Sequence, residues 1–430
     1  MKKRLLAIAL VFGMVIAQAG VVAADSAAEA PVSTDPIKVG VITPLSGNAS
    51  TIGEGCVNAV NMALDEANWE VCGRKIELTV EDSPESATIC IEKTERLVQR
   101  DGVQVILGPL GGAEGAAIKQ YAPNIPDTTI IVAGSAAESV TMRGIEPNVF
   151  RTSYTGSQVT FALGTYAYEE LGYRKVATIA ANYDFPFAQV AGFVLTFVRS
   201  GGEVVDRLWV EQGSTDYSSI VTKIPEGIDA MYCCLTSSDA INFLSTLQSM
   251  GRFGEFAILG GTTFVDTYTL ESDVGYLLED VYASGHWAED LPYEEAKTFM
   301  AAFEEKFGTT PTLWATDYYI ATQWFLKAAE EVGGNIEDLD AFREAIMNVN
   351  YNSARGPVRM DEFHNVVENV YITHVEKNAD GKLVTVPIVT LEDQDQFGPF
   401  DPDWYQDMLG DPDETNPTNE AAQSAILKAE

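Results

Sequence analysis

From residue 37 to about residue 286, short apolar runs alternate with amphipathic segments, and this rhythm restricts the fold more than any other feature. "IKVGVI" leads into a segment whose apolar Val57, Val60 and Leu64 recur at helical spacing, which predicts a helix over 52–69. "KIELTVED", a helix over 86–100, "VQVILGPL", a helix near 113–121 and "TTIIVAG" continue the pattern. The apolar runs do not alternate with polar residues, as expected of parallel strands covered on both faces. A first α/β lobe is therefore expected over 36–152.

The rhythm then restarts. "RKVATIAAN", a helix over 187–200, "EVVDRLWV", a helix near 216–223, "DAMYCCL", a helix over 239–250 and "EFAILGG" predict a second α/β set ending near "DVYASGHW". Two long helical patterns, 293–307 and 312–332, follow. "ARGPVRMDEFHNVVENVYITHVE" then reads as a hairpin-like strand pair. Residues 392–420 carry ten acidic and no basic side chains, an acidic tail expected to be disordered after about 411. Its "QFGPFDPDWYQDML" has enough aromatic residues to pack.

The formal charge of −36 disfavours nucleic acid and anionic membrane as partners, since both are polyanions. "MKKRLLAIALVFGMVIAQAGVVAADS" has basic residues, an apolar stretch over 5–17 and small residues up to Ala24. It is read as an export signal over 1–24, cut after Ala24. Five cysteines, Cys56, Cys72, Cys90, Cys233 and Cys234, leave one thiol unpaired in a monomer. On the expected helix Cys56 and Cys72 lie about 24 Å apart, too far to bridge. Cys56–Cys90, between adjacent helices, is the pairing expected. The three histidines and the cysteines lack metal-ligand spacing, so neither metal nor cofactor is expected.

Enzyme signatures are missing: the chain has no GxSxG, phosphate loop, HExxH or GxGxxG after a strand. The informative segments are small-residue strand ends in the first lobe: "TPLSGNAS" (43–50), "GPLGGAEG" (108–115) and "AGSAAES" (133–139). Ligands of open parallel sheets gather beyond the carboxyl ends of strands, where helix N-termini present free N–H groups. Three such ends suit a carboxylate. Any one of them alone would pass as an ordinary strand-to-helix turn.

"KVGVITPLSGNASTIGEGCVNAVNMALDEAN", "ELTVEDSPESA", "LVQRDGVQVILGPLGG", "NVFRT" and "GPVRMDE" follow one another in an order that resembles the periplasmic solute-binding proteins of branched-chain amino acid ABC transporters. The resemblance covers about 37–390. It implies a type I periplasmic binding fold: two Rossmann-like lobes, parallel-type sheets and a hinge crossed three times. Lobe 1 would comprise 36–152 plus 287–357, lobe 2 would comprise 153–286 plus 358–390, and the tail would begin at 391. It further implies a small organic ligand captured by lobe closure, a membrane permease as partner and a monomeric, extracytoplasmic chain.

Carried onto this sequence, the family's ligand contacts fall on Ser46, Gly112, Ser135, Ala137, Tyr183, Phe185 and Phe187. The second lobe's strand ends add Thr236 and Thr262, and Trp287, just after the expected crossing, is a further candidate for the pocket wall. Ala137 stands where a threonine is usual, and Thr262 where amino-acid binders place the acid that pairs with the ligand's ammonium. Asp184, Asp239 and Asp266 are the candidates to replace that acid. A hydrophobic amino acid is the leading ligand expected. Aliphatic or aromatic carboxylates and amides such as urea come next, and a ligand-sensing receptor subunit is the rival role.

Overall fold

The computed structural model describes residues 33–47, 49–142 and 144–409. The expected export signal, its cleavage site and the tail beyond 411 lie outside them. The first sheet holds β1 (Ile37–Thr43), β2 (Glu70–Val71), β3 (Arg74–Asp82), β4 (Val105–Leu107), β5 (Thr129–Val132) and β6 (Val149–Arg151). Its order is β2-β3-β1-β4-β5-β6, with β3, β1, β4, β5 and β6 parallel. Three helices join these strands: α1 (Ser50–Glu66), α2 (Ala87–Glu95) and α3 (Gly112–Tyr121). α1 stops short of the expected residue 69 because Asn68 and Trp69 take left-handed backbone, which turns the chain back toward β3.

The second sheet contains β7 (Lys175–Ala181), β8 (Glu203–Val210), β9 (Ala230–Cys234), β10 (Ala257–Gly260) and β11 (Tyr282–Gly285). It is extended by β12 (Asn350–Ser353), β13 (Gly356–Met360), β14 (Val366–Lys377) and β15 (Leu383–Gln394). The order is β12-β13-β14-β11-β10-β9-β7-β8, with β15 on β14. β8, β7, β9, β10 and β11 are parallel, and β14 joins β11 antiparallel. α4 (Phe161–Glu169), α5 (Asp184–Arg199), α6 (Ser218–Lys223), α7 (Ser238–Ser249) and α8 (Thr267–Leu270) accompany it.

The remaining helices are α9 (Glu294–Phe307), α10 (Leu313–Glu331), α11 (Leu339–Asn348) and α12 (Pro402–Leu409). α10 returns to the first sheet and packs along α1, with α9 and α11 beside it. The chain therefore passes between the two halves three times: after Arg151, after Gly285 and between Asn348 and Asn350. β12 already pairs with β13, so the third passage comes several residues before the expected 357. The segment from 391, the expected start of the tail, opens as strand, and its aromatic residues pack as their number suggested. β15 continues to Gln394, and Phe397 and Tyr405 are buried against Met142, Phe161 and Leu195.

Alternation along β1 sends Val39 and Val41 toward α1 and α10, and Ile42 toward α2 and α3. This excludes the expected Cys56–Cys90 disulfide. Cys56 packs with the first group and Cys90 with the second, on opposite faces of the sheet.

Where the three passages meet, charge is fully buried. Arg355 pairs with Asp317 Oδ1 at 2.5 Å and with Glu368 at 2.8 Å, all three side chains having no exposed surface. Its guanidinium also donates to the carbonyls of Thr152 and Ser153. His286, from the second passage, meets Asp317 at 3.0 Å and stacks on Tyr154 at 4.1 Å. Arg355 thus touches the first and third passages and shares Asp317 with the second.

Candidate functional site

Both sheets direct the carboxyl ends of their parallel strands at one cleft of about 780 Å3. The first half supplies Ala49 and Ile52 after β1, Glu85 after β3, Leu110, Gly111 and Gly112 after β4, Gly134 and Ala136 after β5, and Tyr154 after β6. The second half supplies Ala181, Tyr183 and Phe185 around the start of α5, Gln212 and Gly213 after β8, and Thr236 to Asp239 before and within α7. Trp314 of α10 completes the wall.

The electrostatics divide into two parts. The N-termini of α1, α3, α5 and α7 all reach the cleft, and their unpaired N–H groups favour an anionic group. Gly112 opens α3 with bare backbone, and an added Cβ would lie 3.5 Å from the Phe185 nitrogen across the cleft. Against this stand two carboxylates, Glu85 from one half and Asp239 from the other, while no Lys, Arg or His among the described residues lines the cleft. Burial and the charge of Asp239 push Glu85 up from its ordinary pKa, and burial does the same to Asp239. Asp239 Oδ2 accepts from Gly213 N–H at 3.0 Å. Glu85 and the cleft residue Ser237 both hold positive φ, 55° and 52°, a conformation costing a non-glycine residue about 1 kcal/mol or more. Backbone strain is thus held at two cleft positions.

Of the residues expected from sequence, Gly112, Tyr183, Phe185 and Thr236 line this cleft, as does Asp239 among the candidate acids. The others lie elsewhere, each for a local reason. Ser46 leaves β1 toward β3, where its Oγ donates to Asp82 at 2.6 Å. Ser135 is buried with its hydroxyl against α3: a Cβ on Gly115 would sit 2.1 Å from it, and Gly134 and Ala136 form the wall instead. Ala137 packs into the cluster of Ile118 and Val140, and its carbonyl accepts from Arg151. Phe187 sits edge-on against Trp209, ring centroids 4.9 Å apart.

Thr262 and Trp287 line a separate cavity of about 320 Å3 together with Asp266. Thr262 is held there by Gln189, which donates to its Oγ1 at 3.0 Å, and by its own bond to the Ser284 carbonyl at 2.9 Å. Asp266 caps α8 through Thr269 N–H at 2.8 Å. Asp184 does not line the main cleft.

The arrangement can bind and orient a small molecule from two sides. It gathers no nucleophile–base pair among the described residues of the cleft. Comparison with known proteins gives the same class of molecule. The model of the family described as "Periplasmic binding protein" matches residues 36–382. The chain belongs to this family. It is 26% identical over 378 residues to "Leu/Ile/Val-binding protein homolog 6" of Brucella suis biovar 1, covering 85% of this chain and 94% of that protein. Among solved structures, an ABC transporter substrate-binding protein from Sphaerobacter thermophilus has a TM-score of 0.79 at 28% identity, covering 84% of this chain and 99% of its own. A solute-binding protein from Rhodopseudomonas palustris BisB5, in complex with 3,4-dihydroxybenzoic acid, has a TM-score of 0.79 at 25% identity, covering 85% and 99%.

Sequence reasoning missed Glu85, Tyr154 and Trp314. A signal for Glu85 was available, since "EDSPES" ends a strand as surely as the three small-residue segments do. Nothing local could have found Trp314, which reaches the cleft from α10, a helix packed on α1 some 230 residues beyond Glu85 in sequence.

Proposed function

We propose that this chain is the solute-binding component of an ABC transporter, exported from the cytoplasm, and that its ligand is an α-amino acid with an apolar side chain. The carrying observation is the division of charge in the cleft. Helix N-termini, α3 foremost, suit a carboxylate, while Glu85 and Asp239 suit an ammonium. Tyr154, Tyr183, Phe185 and Trp314 suit an apolar body between them. The likeness to the Brucella Leu/Ile/Val-binding protein homologue supports the same class. Contacts drawn from both halves make capture and lobe closure one equilibrium; periplasmic binding proteins are a standard example of such hinge closure. The closed form would deliver its ligand unchanged to a membrane permease. Among the described residues, no helix is long and apolar enough to cross a membrane.

A second reading, an aromatic carboxylate, is favoured by the four aromatic walls and by the ligand of the Rhodopseudomonas protein. The acid pair counts against it, because an anion without an ammonium would face the carboxyl groups of buried Asp239 and half-buried Glu85.

The test is calorimetric titration of the chain from residue 25 onward, refolded to strip bound solute, with leucine, isoleucine, valine, benzoate and 3,4-dihydroxybenzoate. Saturable one-to-one binding of an aliphatic amino acid is expected. Binding of the benzoates alone would transfer the assignment to the second reading, and binding of none would remove both.

A further inference from the structure

The family match ends at residue 382, yet the ordered chain runs on through α12 and touches both halves of the molecule. After β15, the Asp395 carboxylate accepts from the N–H groups of Phe397 and Gly398 at 2.8 and 3.0 Å and turns the chain toward α12. On the second-half side, Arg199 of α5 donates to the Pro399 carbonyl at 3.3 Å, and its guanidinium lies 5.2 Å above the Phe400 ring. Phe161 of α4 meets the rings of Phe400 and Tyr405 edge-on, with centroids 5.4 and 5.9 Å away.

On the first-half side the contacts are directional. The Tyr405 hydroxyl donates to Glu138 Oε1 at 3.0 Å, and Thr141 Oγ1 donates to Gln396 Oε1 at 2.7 Å. Met142 is buried in the same aromatic cluster. All three partners belong to the β5–β6 loop, whose earlier residues Gly134 and Ala136 form cleft wall. Arg151 reinforces the loop from within by donating to the Ala137 carbonyl and to Thr141.

We propose that residues 395–409 are a strap that fixes the cleft wall at 133–142 to α4 and α5, with Gln396 and Tyr405 as positioning residues for ligand capture. The strap is anchored to the second half by aromatic packing and the Arg199 bond, and it meets the first half through the Glu138 and Thr141 bonds and a longer one, Arg151 donating to Gln396 Oε1 at 3.4 Å. A wall held in place before the ligand arrives need not be ordered on binding, so affinity gains what ordering would have cost. The inference rests on the cleft being the ligand site.

Two measurements test it on the chain from residue 25 onward, comparing wild type with Tyr405→Phe combined with Gln396→Ala. Hydrogen exchange without ligand should quicken about tenfold across 133–142, the loss expected when one or two buried hydrogen bonds go. Exchange in β7 should stay as in wild type. Glu138→Gln, which keeps an acceptor for Tyr405, should exchange like wild type. Unchanged exchange across 133–142 in the double variant would overturn the strap. The second measurement is a titration with leucine, or with 3,4-dihydroxybenzoate if that is what wild type binds. The double variant should bind at least about threefold more weakly, mainly through faster release. Quickened exchange with wild-type affinity would reduce the strap to a structural tether and overturn the positioning role. Wild type binding neither solute would overturn the functional reading instead, while exchange would still decide the strap.

Discussion

At the scale of single residues, Thr262 is bonded to Gln189 and Ser284 and stands apart from the main cleft. Under the proposed function, the acid usual at that position would have its counterpart in two acids from other loops, Glu85 and Asp239, one from each half, both of which line the cleft. Each should contribute a charge-assisted hydrogen bond to an ammonium. Glu85→Gln and Asp239→Asn are each expected to weaken leucine binding by about 1.5–3 kcal/mol, roughly tenfold to more than a hundredfold, in calorimetric titration. Thr262→Ala should leave affinity within about twofold, because Thr262 bonds to Gln189 and Ser284 rather than facing the cleft.

Glu114 supplies a second test at this scale. Its carboxylate, buried beneath the start of α3, accepts from Gly111 N–H at 2.9 Å and from the Ser83 hydroxyl, and burial pushes its pKa from 4.5 up to about 7. Between those values the folded chain keeps a proton that the unfolded chain releases. Its contribution to stability is therefore present below 4.5 and lost as pH rises through about 7, a change of about 3 kcal/mol. His286 and His364, held neutral by burial, act with opposite sign below 6.5, so the comparison must be differential. Urea denaturation at pH 5 and pH 8 should show wild type losing more stability than Glu114→Gln on going to the higher pH. Equal losses would remove Glu114 from the account.

At the scale of elements, the strands and most helices follow from pattern, while their closest approaches do not. α4 and α5 pack through reciprocal glycines. A Cβ on Gly164 would lie 2.1 Å from Thr196 Oγ1 and 2.3 Å from the Phe193 carbonyl, and one on Gly192 would lie 2.3 Å from Thr160 Oγ1. Gly164→Ala must push the helices apart and is expected to destabilise the chain by about 1–3 kcal/mol, read as a lowered thermal midpoint. The α5 and α7 boundaries expected from sequence were close to those found, because amphipathic period is a local signal. α4 and α11 were not expected. The small-residue ends of β4 and β5 did mark cleft wall, yet within "AGSAAES" the cleft-lining positions are Gly134 and Ala136 rather than Ser135 and Ala137. Which side of such a loop faces the cleft depends on α3, against which Ser135 packs.

At the scale of the whole molecule, the three passages converge on one buried cation. Removing it would leave Asp317 and Glu368 without their cation in an interior with no exposed surface. Arg355→Ala is therefore expected to destabilise the chain by about 3–5 kcal/mol, seen as a lower denaturation midpoint. Retained stability would mean that the passages hold without it. The sequence by itself determined the class: two α/β halves of parallel strands, with strand ends shaped for a ligand, because periodicity and turn chemistry are written within a few residues of where they act. The tertiary structure alone decided which side chains meet across the cleft, that Cys56 and Cys90 are separated by a sheet, that Trp314 lines the cleft, and that the segment after 394 packs against Met142, Phe161 and Leu195. Those contacts join residues far apart in sequence. Their geometry is set by how helices and sheets pack, and no local pattern carries it.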